Sequence, residues 1–559
     1  MDIPTDKLKT LLVEPGFVAV DAFDIAVREA ESHNVSVEDA LLDRDLIKDE
    51  QLGALVAQDF GVPFANIKEE KIDEDVLHLI PEAVARTRGV IALARVPGGV
   101  KVAMQNPIDV EIINLLEKRL SSPVVRAYMT SDGLREALGH YRQSIRDEFK
   151  KLLDHLNNPM LTHDESDSVT VEIVDMLLRY GHESKASDIH IEPHPKSVVI
   201  RFRIDGVMHD VLEIPKKLLD LMLTRIKILA KMRTDEHRAA QDGKLAFEAE
   251  GEKVDVRVSV VPVTEGENIV LRLLSAKSRQ YGLSDLGFAD LDLQKTLRAI
   301  DNPHGMILVT GPTGSGKTTT VYGMLKILNT RDVHIATIED PVEYEIEGVS
   351  QIQVNPHTNL TFAKGLRAIV RQDPDVIMVG EIRDEETADI AVNSAMTGHL
   401  VLSTLHANDA ATTLPRLLDM KVEPFLVAST VNVIVAQRLV RKICEKCRSS
   451  REVSEEDKRL IASNAHLKEI LEPRIVGLRL YQAHGCSVCA NTGFLGRIGI
   501  FEVLEMSDEV KGLVTKRAAS SEIMASARRA GMTTMLQDGV EKAIRGITTL
   551  TEVVRVTKE

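Results

Sequence analysis

The sequence contains no tryptophan, and aromatic residues make up only 3% of its 559 residues. Proteins that hold single-stranded nucleic acid stack the bases on aromatic side chains, so this shortage argues against a base-stacking platform. Long apolar runs are also missing: the most apolar stretch, residues 425–436, contains Ser429, Thr430 and Asn432. It is shorter than the ~20 residues that a membrane-spanning helix needs. The first residues lack the basic segment and apolar segment of a secretory signal, so we expect a cytoplasmic protein.

Positive charge is in deficit, with 69 Lys and Arg against 85 Asp and Glu and a formal net charge of −16. Such a field repels polyanions, including nucleic acids and anionic membranes. A nucleic-acid translocase is therefore the least favoured of the functions considered below, and we predict no nucleic-acid partner. Hydrophobic residues at 44% and charged residues at 28% are the ordinary balance of a folded, globular chain.

Only four cysteines are present, and they form two Cys-x-x-Cys pairs, Cys444 with Cys447 and Cys486 with Cys489. In a cytoplasmic chain this spacing is typical of a tetrahedral zinc–thiolate site and not of a disulfide framework. Four unrelated core cysteines are the alternative, but two independent pairs of this spacing rarely arise by chance. We predict that the four thiolates bind one structural Zn²⁺ and close a subdomain over residues 444–489.

The N-terminal part of the chain has two halves. Residues 1–62 carry a weak internal repeat, in which Leu12 aligns with Leu41 and Phe23 with Leu52. Each copy has apolar residues at helical spacing, which predicts two helical hairpins packed on each other. Residues 63–143 alternate short strands and helices, which predicts a small α/β unit. Together the two halves form a predicted regulatory or docking domain.

Polar segments divide the rest of the chain. We predict linkers at residues 144–168 and 279–291, with a second domain of strands and one apolar helix at residues 169–278 between them. From residue 292 to residue 559, strands and helices alternate, which is the signature of a parallel sheet with crossover helices.

A phosphate-binding loop opens this last domain. The apolar run at residues 306–310 leads into Gly-Pro-Thr-Gly-Ser-Gly-Lys-Thr at residues 311–318, the Gly-x4-Gly-Lys-Ser/Thr pattern between a strand and a helix. In such loops the glycines let backbone N–H groups wrap the phosphates, aided by the positive end of the helix. The lysine reaches the β- and γ-phosphates and the last threonine binds Mg²⁺. The predicted ATP-binding residues are Gly311, Thr313, Gly314, Ser315, Gly316, Lys317, Thr318 and Thr319.

Two carboxylates follow predicted strands of the same sheet. Glu381 comes after the apolar run at residues 376–379, and Glu343 comes shortly after the run at residues 334–338. Carboxyl ends of parallel strands meet at the ligand-binding edge of a sheet. Phosphoryl transfer needs one carboxylate that holds Mg²⁺ through water and another that orients the attacking water. We predict the first role for Glu381 and the second for Glu343, although each alone is as often a solvated loop residue.

Two histidines, His399 and His406, stand at opposite ends of a further predicted strand. A lone histidine is more often a satisfied core residue than a functional one. Their predicted position near the nucleotide edge of the sheet favours a role as sensors of the nucleotide state.

Four segments together resemble the secretion ATPase superfamily. The phosphate-binding loop, TIEDPVE at residues 337–343, LRAIVRQDPDVIMVGEIRD at 366–384 and TGHLVLSTLHAND at 397–409 are similar to its Walker A, Asp box, Walker B and His box. The tetracysteine element, followed by TGFLGRIGIFEVL, resembles the branch that assembles type IV pili or drives type II secretion. In the second domain KASDIHIE, RFRIDG and QDG match as well. The resemblance is strong from residue 80 onward and looser before it.

The resemblance implies a multidomain α/β protein: a RecA-like P-loop ATPase core with a parallel sheet, preceded by an α/β, PAS-like second domain and a helical and α+β N-terminal domain. It implies a homohexameric motor that uses ATP and Mg²⁺ to assemble pilin subunits and docks peripherally on an inner-membrane platform protein. The type II secretion ATPase, acting on pseudopilins, is the alternative. The long two-part N-terminus favours the pilus.

Arg257 and Arg272 match arginines that, in the resembling family, reach the nucleotide of an adjacent subunit. Such arginine fingers counter charge on the γ-phosphate. Surface arginines in solvated ion pairs are the alternative reading.

The resembling family can bind cyclic di-GMP through N-terminal repeats that begin Arg-Leu-Gly and end in Gln. Here residues 7–9 read Lys-Leu-Lys with Ala30 at the end, and residues 36–38 read Ser-Val-Glu with Gln58 at the end. The arginines that stack on guanine or pair with phosphate are absent from both starts. We therefore expect cyclic di-GMP to bind weakly or not at all.

Overall fold

The computed structural model describes residues 4–33, 36–44, 46–134, 136–138, 140–141, 163–249, 252–274, 282–486, 489 and 492–558. The chain divides into two compact units. The first comprises residues 1–274, 443–451 and 481–495, and the second comprises residues 275–442, 452–480 and 496–559. Among the helices of the described segments, none is both long and apolar enough to cross a membrane.

The first unit begins with two helix pairs, as the repeat predicts. These helices are α1 (Thr5–Leu12), α2 (Val20–His33), α3 (Val37–Asp43) and α4 (Asp49–Phe60). Residues that align in the repeat have matching environments: Leu12 and Leu41 are fully buried, and Phe23 and Leu52 lie in the same core. Phe17, which the repeat aligns with Leu46, is half exposed, whereas Leu46 is partly buried against this core.

A small α/β unit follows, again as predicted. Its elements are α5 (Glu74–Leu77), α6 (Glu82–Arg88), β1 (Val90–Val96), β2 (Gly99–Met104), α7 (Val110–Leu120) and β3 (Val124–Tyr128). The strands form a sheet of order β1-β2-β3, in which the first pair is antiparallel and the second is parallel.

The second domain is a six-stranded antiparallel sheet of order β6-β5-β4-β9-β8-β7, with helices that pack on its apolar face. Its elements are α8 (His163–Glu183), β4 (Ala186–Pro193), β5 (Ser197–Ile204), β6 (Val207–Pro215), α9 (Leu219–Leu229), β7 (Gln241–Ala249), β8 (Glu252–Val263) and β9 (Gly266–Leu274). Buried and less buried residues alternate along β5, as expected for a sheet with one covered face.

Each predicted linker segment overlaps a described element of secondary structure. Helix α8 begins at His163, inside the segment 144–168, and a 3₁₀ turn at Leu283–Leu286 lies inside the segment 279–291. The remaining parts, residues 144–162 and 279–281, lie outside the described residues.

The second unit is built on a seven-stranded sheet of order β12-β11-β13-β14-β10-β15-β18, in which β18 is Phe494–Glu505. The six strands from β12 to β15 run parallel, which confirms the predicted parallel sheet. Its elements up to β15 are α10 (Asp290–Ile300), β10 (Gly305–Thr310), α11 (Lys317–Leu328), β11 (Ile335–Glu339), β12 (Val349–Gln353), α12 (Phe362–Ile369), β13 (Val376–Val379), α13 (Glu385–Met396), β14 (Leu400–Leu405), α14 (Ala410–Asp419), α15 (Pro424–Thr430) and β15 (Val431–Ile443).

Both faces of this sheet are covered, because every residue of β10 and β14 is buried. Met306 and Leu308 join one hydrophobic core, whereas Ile307 and Val309 join the core on the other face. Continuous apolar strands of this kind are typical of parallel sheets between helical layers.

The chain ends in a helical region around β18. The elements here are β16 (Arg448–Glu452), α16 (Glu455–Ser463), α17 (Ala465–Leu471), β17 (Arg479–Ala483), β18 (Phe494–Glu505), α18 (Asp508–Thr515), α19 (Ser520–Arg529), α20 (Met535–Ile544) and α21 (Leu550–Thr557). Strands β16 and β17 form a separate two-stranded sheet.

Candidate functional site

The phosphate-binding loop lies between the end of β10 at Thr310 and the start of α11 at Lys317. Gly311, Gly314 and Gly316 have φ angles of 148°, 78° and 89°, a region that side-chain-bearing residues rarely adopt. The loop therefore takes the strand–loop–helix form that the sequence predicts, and its glycines are required by the backbone itself.

Lys317 bends back over this loop. Its Nζ donates to the carbonyl oxygens of Gly311 at 2.9 Å and Pro312 at 3.1 Å. Burial lowers the pKa of Lys317, and the negative charge of Glu381 partly opposes that shift. The ammonium group thus stands at the loop with hydrogen bonds that a phosphate oxygen is able to replace.

The other predicted loop residues differ in exposure. Thr313 and Gly314 are exposed, whereas Ser315 is buried at 3% exposure. Thr318 and Thr319 are partly buried in the first turn of α11. Their assignment to ATP and Mg²⁺ stays a prediction.

Glu381 lies at the same edge of the sheet, two residues beyond β13. Its Oε2 is 3.3 Å from Nε2 of His406, and its Oε1 is 2.5 Å from a guanidinium nitrogen of Arg383. The carboxylate is 14% exposed, and its hydrogen bond with Arg383, followed by its charge, raises the pKa of Arg383. The structure therefore brings Lys317, Glu381 and His406 together.

Glu339, four residues before Glu343, is a buried carboxylate that the sequence patterns do not single out. Glu339, the last residue of β11, is 2% exposed and accepts hydrogen bonds from the Tyr322 hydroxyl, from Thr337 Oγ1 at 2.6 Å and from Gln351 Nε2 at 3.2 Å. Burial, followed by the charge of Glu339, raises the pKa of Tyr322. The Glu343 N–H donates to the same hydroxyl at 3.4 Å, so Tyr322 of α11 connects the phosphate-binding helix with the Glu343 segment.

His399 lies at the other edge of the sheet, which corrects the expectation that both histidines stand near the nucleotide. Gly305 and Leu400 are paired at the starts of β10 and β14, and Thr310 and Leu405 are paired at their ends. A six-residue strand spans about 20 Å, so His399 is far from the loop of its own chain. Its Nδ1 is 2.9 Å from the Ser394 carbonyl oxygen, a contact with the preceding helix.

Arg257 and Arg272 lie in the first unit, on the predicted strands. They are direct cross-strand partners in β8 and β9. Arg272 is 62% exposed, and its Nε donates to Oδ1 of the buried Asp188 at 2.9 Å. Burial raises the pKa of Asp188. Hydrogen bonds from Arg272 and Ser187, with the charge of Arg272, lower it by more, so the pKa is below its ordinary value. Asp188 therefore holds Arg272, a role that the sequence analysis missed although its motif was noted.

The four cysteines form one cluster in the first unit, with all four sulfur atoms within 4.8 Å of one another. The Sγ atoms of Cys444 and Cys486 are 3.8 Å apart, those of Cys447 and Cys489 are 3.8 Å apart, and those of Cys486 and Cys489 are 3.7 Å apart. Four sulfurs at ~2.3 Å from a tetrahedral zinc are separated by ~3.8 Å. The cluster therefore has the donor set and the spacing that Zn²⁺ requires.

Backbone groups around the cluster favour thiolates. The N–H groups of Cys486 and Gly493 each lie 3.2 Å from Cys489 Sγ. Hydrogen bonds from the neighbouring thiols and these amides lower the pKa of Cys489, whereas burial raises the pKa of Cys447 to about 11. A bound divalent cation favours deprotonation of all four thiols.

Comparison with known proteins matches two parts of the chain to protein families. Residues 163–555 match the model of the family "Type II/IV secretion system protein", and residues 60–148 match the MshEN domain. The type IV pilus assembly ATPase PilB of Myxococcus xanthus is 37% identical over 98% of each chain. The type II secretion system ATPase E of Vibrio cholerae is 42% identical over 80% of this chain and 88% of its own length.

A solved structure shares the fold at lower identity. The Yersinia pseudotuberculosis ATPase DotB superposes with a TM-score of 0.51 and 18% sequence identity, over 71% of this chain and 94% of that chain.

Proposed function

The chain belongs to the Type II/IV secretion system protein family, and from this premise we propose that it is the ATPase motor that drives assembly of type IV pili. The observation that carries the proposal is the gathering of Lys317, Glu381 and His406 beside the phosphate-binding loop, at the carboxyl edge of a parallel sheet. Ligands of such sheets bind at this edge.

The proposed chemistry is hydrolysis of ATP. Backbone N–H groups of Gly311 and of residues 313–319, with the Lys317 ammonium, bind the phosphates. Mg²⁺, when bound, neutralises charge on the β- and γ-phosphates, and Thr318 with Glu381 through water are the residues that hold it. Glu343 orients the attacking water, and His406, in contact with Glu381, responds to the nucleotide state.

The proposed assembly is a homohexamer. In it, Arg257 and Arg272 from the second domain of one subunit counter the charge on the γ-phosphate of its neighbour. Anchorage of Arg272 by the buried Asp188 supports this role, since a guanidinium group on a strand loses little freedom when it binds an anion.

Two relatives favour different cargo for the motor. PilB of M. xanthus aligns with 98% of this chain, whereas the V. cholerae secretion ATPase aligns with 80% of it. Because the alignment with the pilus ATPase covers more of this chain, pilin is the favoured cargo and pseudopilin of a type II secretion system is the alternative. The proposed location is the cytoplasmic face of the inner membrane, on a platform protein.

Turnover by two variants tests the ATPase mechanism. We expect Lys317→Ala to lose most of its affinity for ATP, because the cation that meets the phosphates is gone. We expect Glu343→Gln to bind ATP but to hydrolyse it ~10²-fold more slowly or worse, because its water is no longer oriented. The measurements are steady-state ATPase rates and nucleotide-binding titrations. Glu345→Gln, an exposed neighbour, is the matched control, and normal turnover of Glu343→Gln would remove Glu343 from the mechanism.

A deletion strain separates the two kinds of cargo. Complementation with the wild-type chain, but not with Lys317→Ala, is expected to restore surface pili seen by electron microscopy while secretion of exoproteins is unaffected. Loss of exoprotein secretion with normal pili would assign the chain to type II secretion instead.

A further inference from the structure

Gln437 of β15 contacts the phosphate-binding loop although it lies far from the loop in sequence. Its side chain is almost completely buried, at 1% exposure. Nε2 donates to the Ser315 carbonyl oxygen at 2.7 Å, and Oε1 accepts from Thr320 Oγ1 at 2.6 Å. One amide group therefore joins the loop to the first turns of α11, and both partners are themselves buried.

The same residue also explains two glycines of the loop. A Cβ atom added to Gly311 would lie 2.4 Å from the Gln437 carbonyl oxygen, and one added to Gly316 would lie 3.1 Å from Gln437 Nε2. The parallel pairing of Thr310 with Ala436 sets this register, because Gly311 directly follows Thr310 and Gln437 directly follows Ala436. Strand β15 thus packs directly against the loop backbone at two points.

We propose that Gln437 is a positioning residue that sets the orientation of the loop peptides for phosphate binding. A trans peptide is planar, so the Ser315 carbonyl and the Gly316 N–H point in opposite directions. When Gln437 Nε2 holds the Ser315 carbonyl, it turns the Gly316 N–H away from β15. The bond to Thr320 fixes the amide itself, because a rotated Gln437 would place its oxygen against the Ser315 carbonyl.

If Gln437 has this role, removing its hydrogen bonds lowers the affinity for nucleotide. Removing a buried hydrogen bond elsewhere in the core does not. Gln437→Leu keeps the approximate volume but leaves the Ser315 carbonyl and the Thr320 hydroxyl without this partner. Thr320→Val removes the hydroxyl that fixes the amide, with almost no change in shape. We expect each variant to weaken binding of ATP and of ADP about 10-fold or more, because binding then has to order loop peptides that these buried hydrogen bonds no longer hold.

The test compares dissociation constants for ATP and ADP, with melting temperatures, in the full-length protein. Thr320→Ser retains the hydroxyl and is expected to restore near wild-type affinity. Thr296→Val is the matched control: Thr296 is fully buried and donates to the Asp292 carbonyl oxygen at 2.8 Å in α10, away from the loop. It is expected to lower the melting temperature without changing either dissociation constant.

A double-mutant cycle separates a shared role from two independent ones. If Gln437 and Thr320 act as one unit, the double variant binds ATP about as weakly as the weaker single variant. Effects that multiply would overturn the proposed coupling, and unchanged affinity in both single variants would overturn the positioning role.

The inference rests on the proposed nucleotide site, so Lys317→Ala is measured in parallel. Full affinity in Lys317→Ala would reject the site, and the role of Gln437 with it. Loss of affinity in Lys317→Ala, together with full affinity in Gln437→Leu and Thr320→Val, would reject only the role of Gln437.

Discussion

Glu502 is a buried side chain of the second unit that accepts hydrogen bonds from the starts of two helices. It is 3% exposed, and it accepts hydrogen bonds from the N–H groups of Ala410 at 3.0 Å and Met535 at 3.4 Å, the first residues of α14 and α20. Burial raises the pKa of Glu502 to about 7, and the negative charge of Asp409 adds to the shift. Because α14 begins four residues after His406, Glu502 fixes the start of the helix that follows this histidine.

The raised pKa of Glu502 predicts a specific dependence of stability on pH. The carboxyl group binds a proton more tightly in the folded state, so its contribution is present below its ordinary pKa of 4.5 and is lost as pH rises through about 7. A shift of this size corresponds to roughly 3 kcal/mol. Glu502→Gln does not ionise, so the free energy of unfolding of the variant relative to wild type is expected to increase from pH 5 to pH 7.5.

Urea unfolding at a series of pH values measures this difference. Glu505→Gln, which removes an exposed carboxylate at the end of the same strand, is the control for the loss of one negative charge. A flat difference for Glu502→Gln would show that the carboxyl group titrates at an ordinary pKa. A constant offset for Glu502→Gln is expected in addition, because the amide has one acceptor oxygen for two N–H donors.

Local sequence patterns predict single residues well when the partners are neighbours in the chain. The phosphate-binding loop is an example, because the strand, the glycines and the helix lie within residues 305–328. Gln437 and Asp188 were not predicted, since Gln437 meets Ser315 across 122 residues and Asp188 meets Arg272 across 84. No local pattern carries such pairs. The sequence predicts that His406 and Glu381 lie at the same edge of the sheet, through the rule that parallel strands end at one edge, but it does not predict their contact.

At the scale of elements, hydrophobic periodicity predicts the N-terminal helix pairs and the buried strands of the parallel sheet. It does not place the start of α8, because the polar residues at the end of the segment 144–168 have no apolar periodicity. Helix α8 begins at His163, within such a polar segment, and the family model also begins at residue 163. The position of His399 was misjudged because the length of β14 was not used: a strand of this length separates its two ends by about 20 Å.

The two repeats of residues 1–62 predict that cyclic di-GMP does not bind tightly to this protein. The ligand has two phosphates and two guanines, which need bidentate and stacked arginine partners, and the starts of both repeats lack arginine. Calorimetric titration of the full-length protein is expected to show weak binding or none. A parallel titration with ATP serves as the control for active protein, and submicromolar affinity for cyclic di-GMP would contradict the prediction.

The tetracysteine element predicts one structural zinc ion per chain. Elemental analysis of protein purified without added metal is expected to find about one zinc per chain, and a strong chelator is expected to lower the melting temperature, because thiolate–zinc bonds stabilise the fold directly. Cys489→Ser is expected to reduce the zinc content. His484→Gln is the matched control: this ring lies 2.8 Å from Ser449 Oγ, beside the cluster, but is not among its four ligands. Zinc well below one per chain in the native protein would refute the site.

At the scale of the whole molecule, the proposed function requires an active site that two chains share. The γ-phosphate carries charge that Lys317 and Mg²⁺ counter only in part, and P-loop enzymes often complete the site with an arginine from a neighbour. Arg272 suits this role because it is mostly exposed but held at one side by Asp188. If it acts in a neighbouring subunit, ATPase activity depends on oligomerisation, and full activity of a monomeric preparation would exclude the mechanism.

Mixing two inactive variants tests this shared site directly. Arg272→Ala, and likewise Arg257→Ala, is expected to lose turnover while it retains its fold and its affinity for ATP, because the phosphate-binding loop is intact. Lys317→Ala retains its arginines but is expected to bind ATP poorly. In mixed oligomers some interfaces combine an intact loop with an intact arginine, so activity is expected to return and to depend on the mixing ratio. Arg298→Ala is the matched control, because Arg298 is 63% exposed, close to the 62% of Arg272, and is paired with an exposed carboxylate. Its turnover is expected to be normal, since exposed ion pairs contribute only ~0–1 kcal/mol to stability. No recovery in the mixtures, or full activity of the Arg257→Ala/Arg272→Ala double variant, would show that each chain completes its own site.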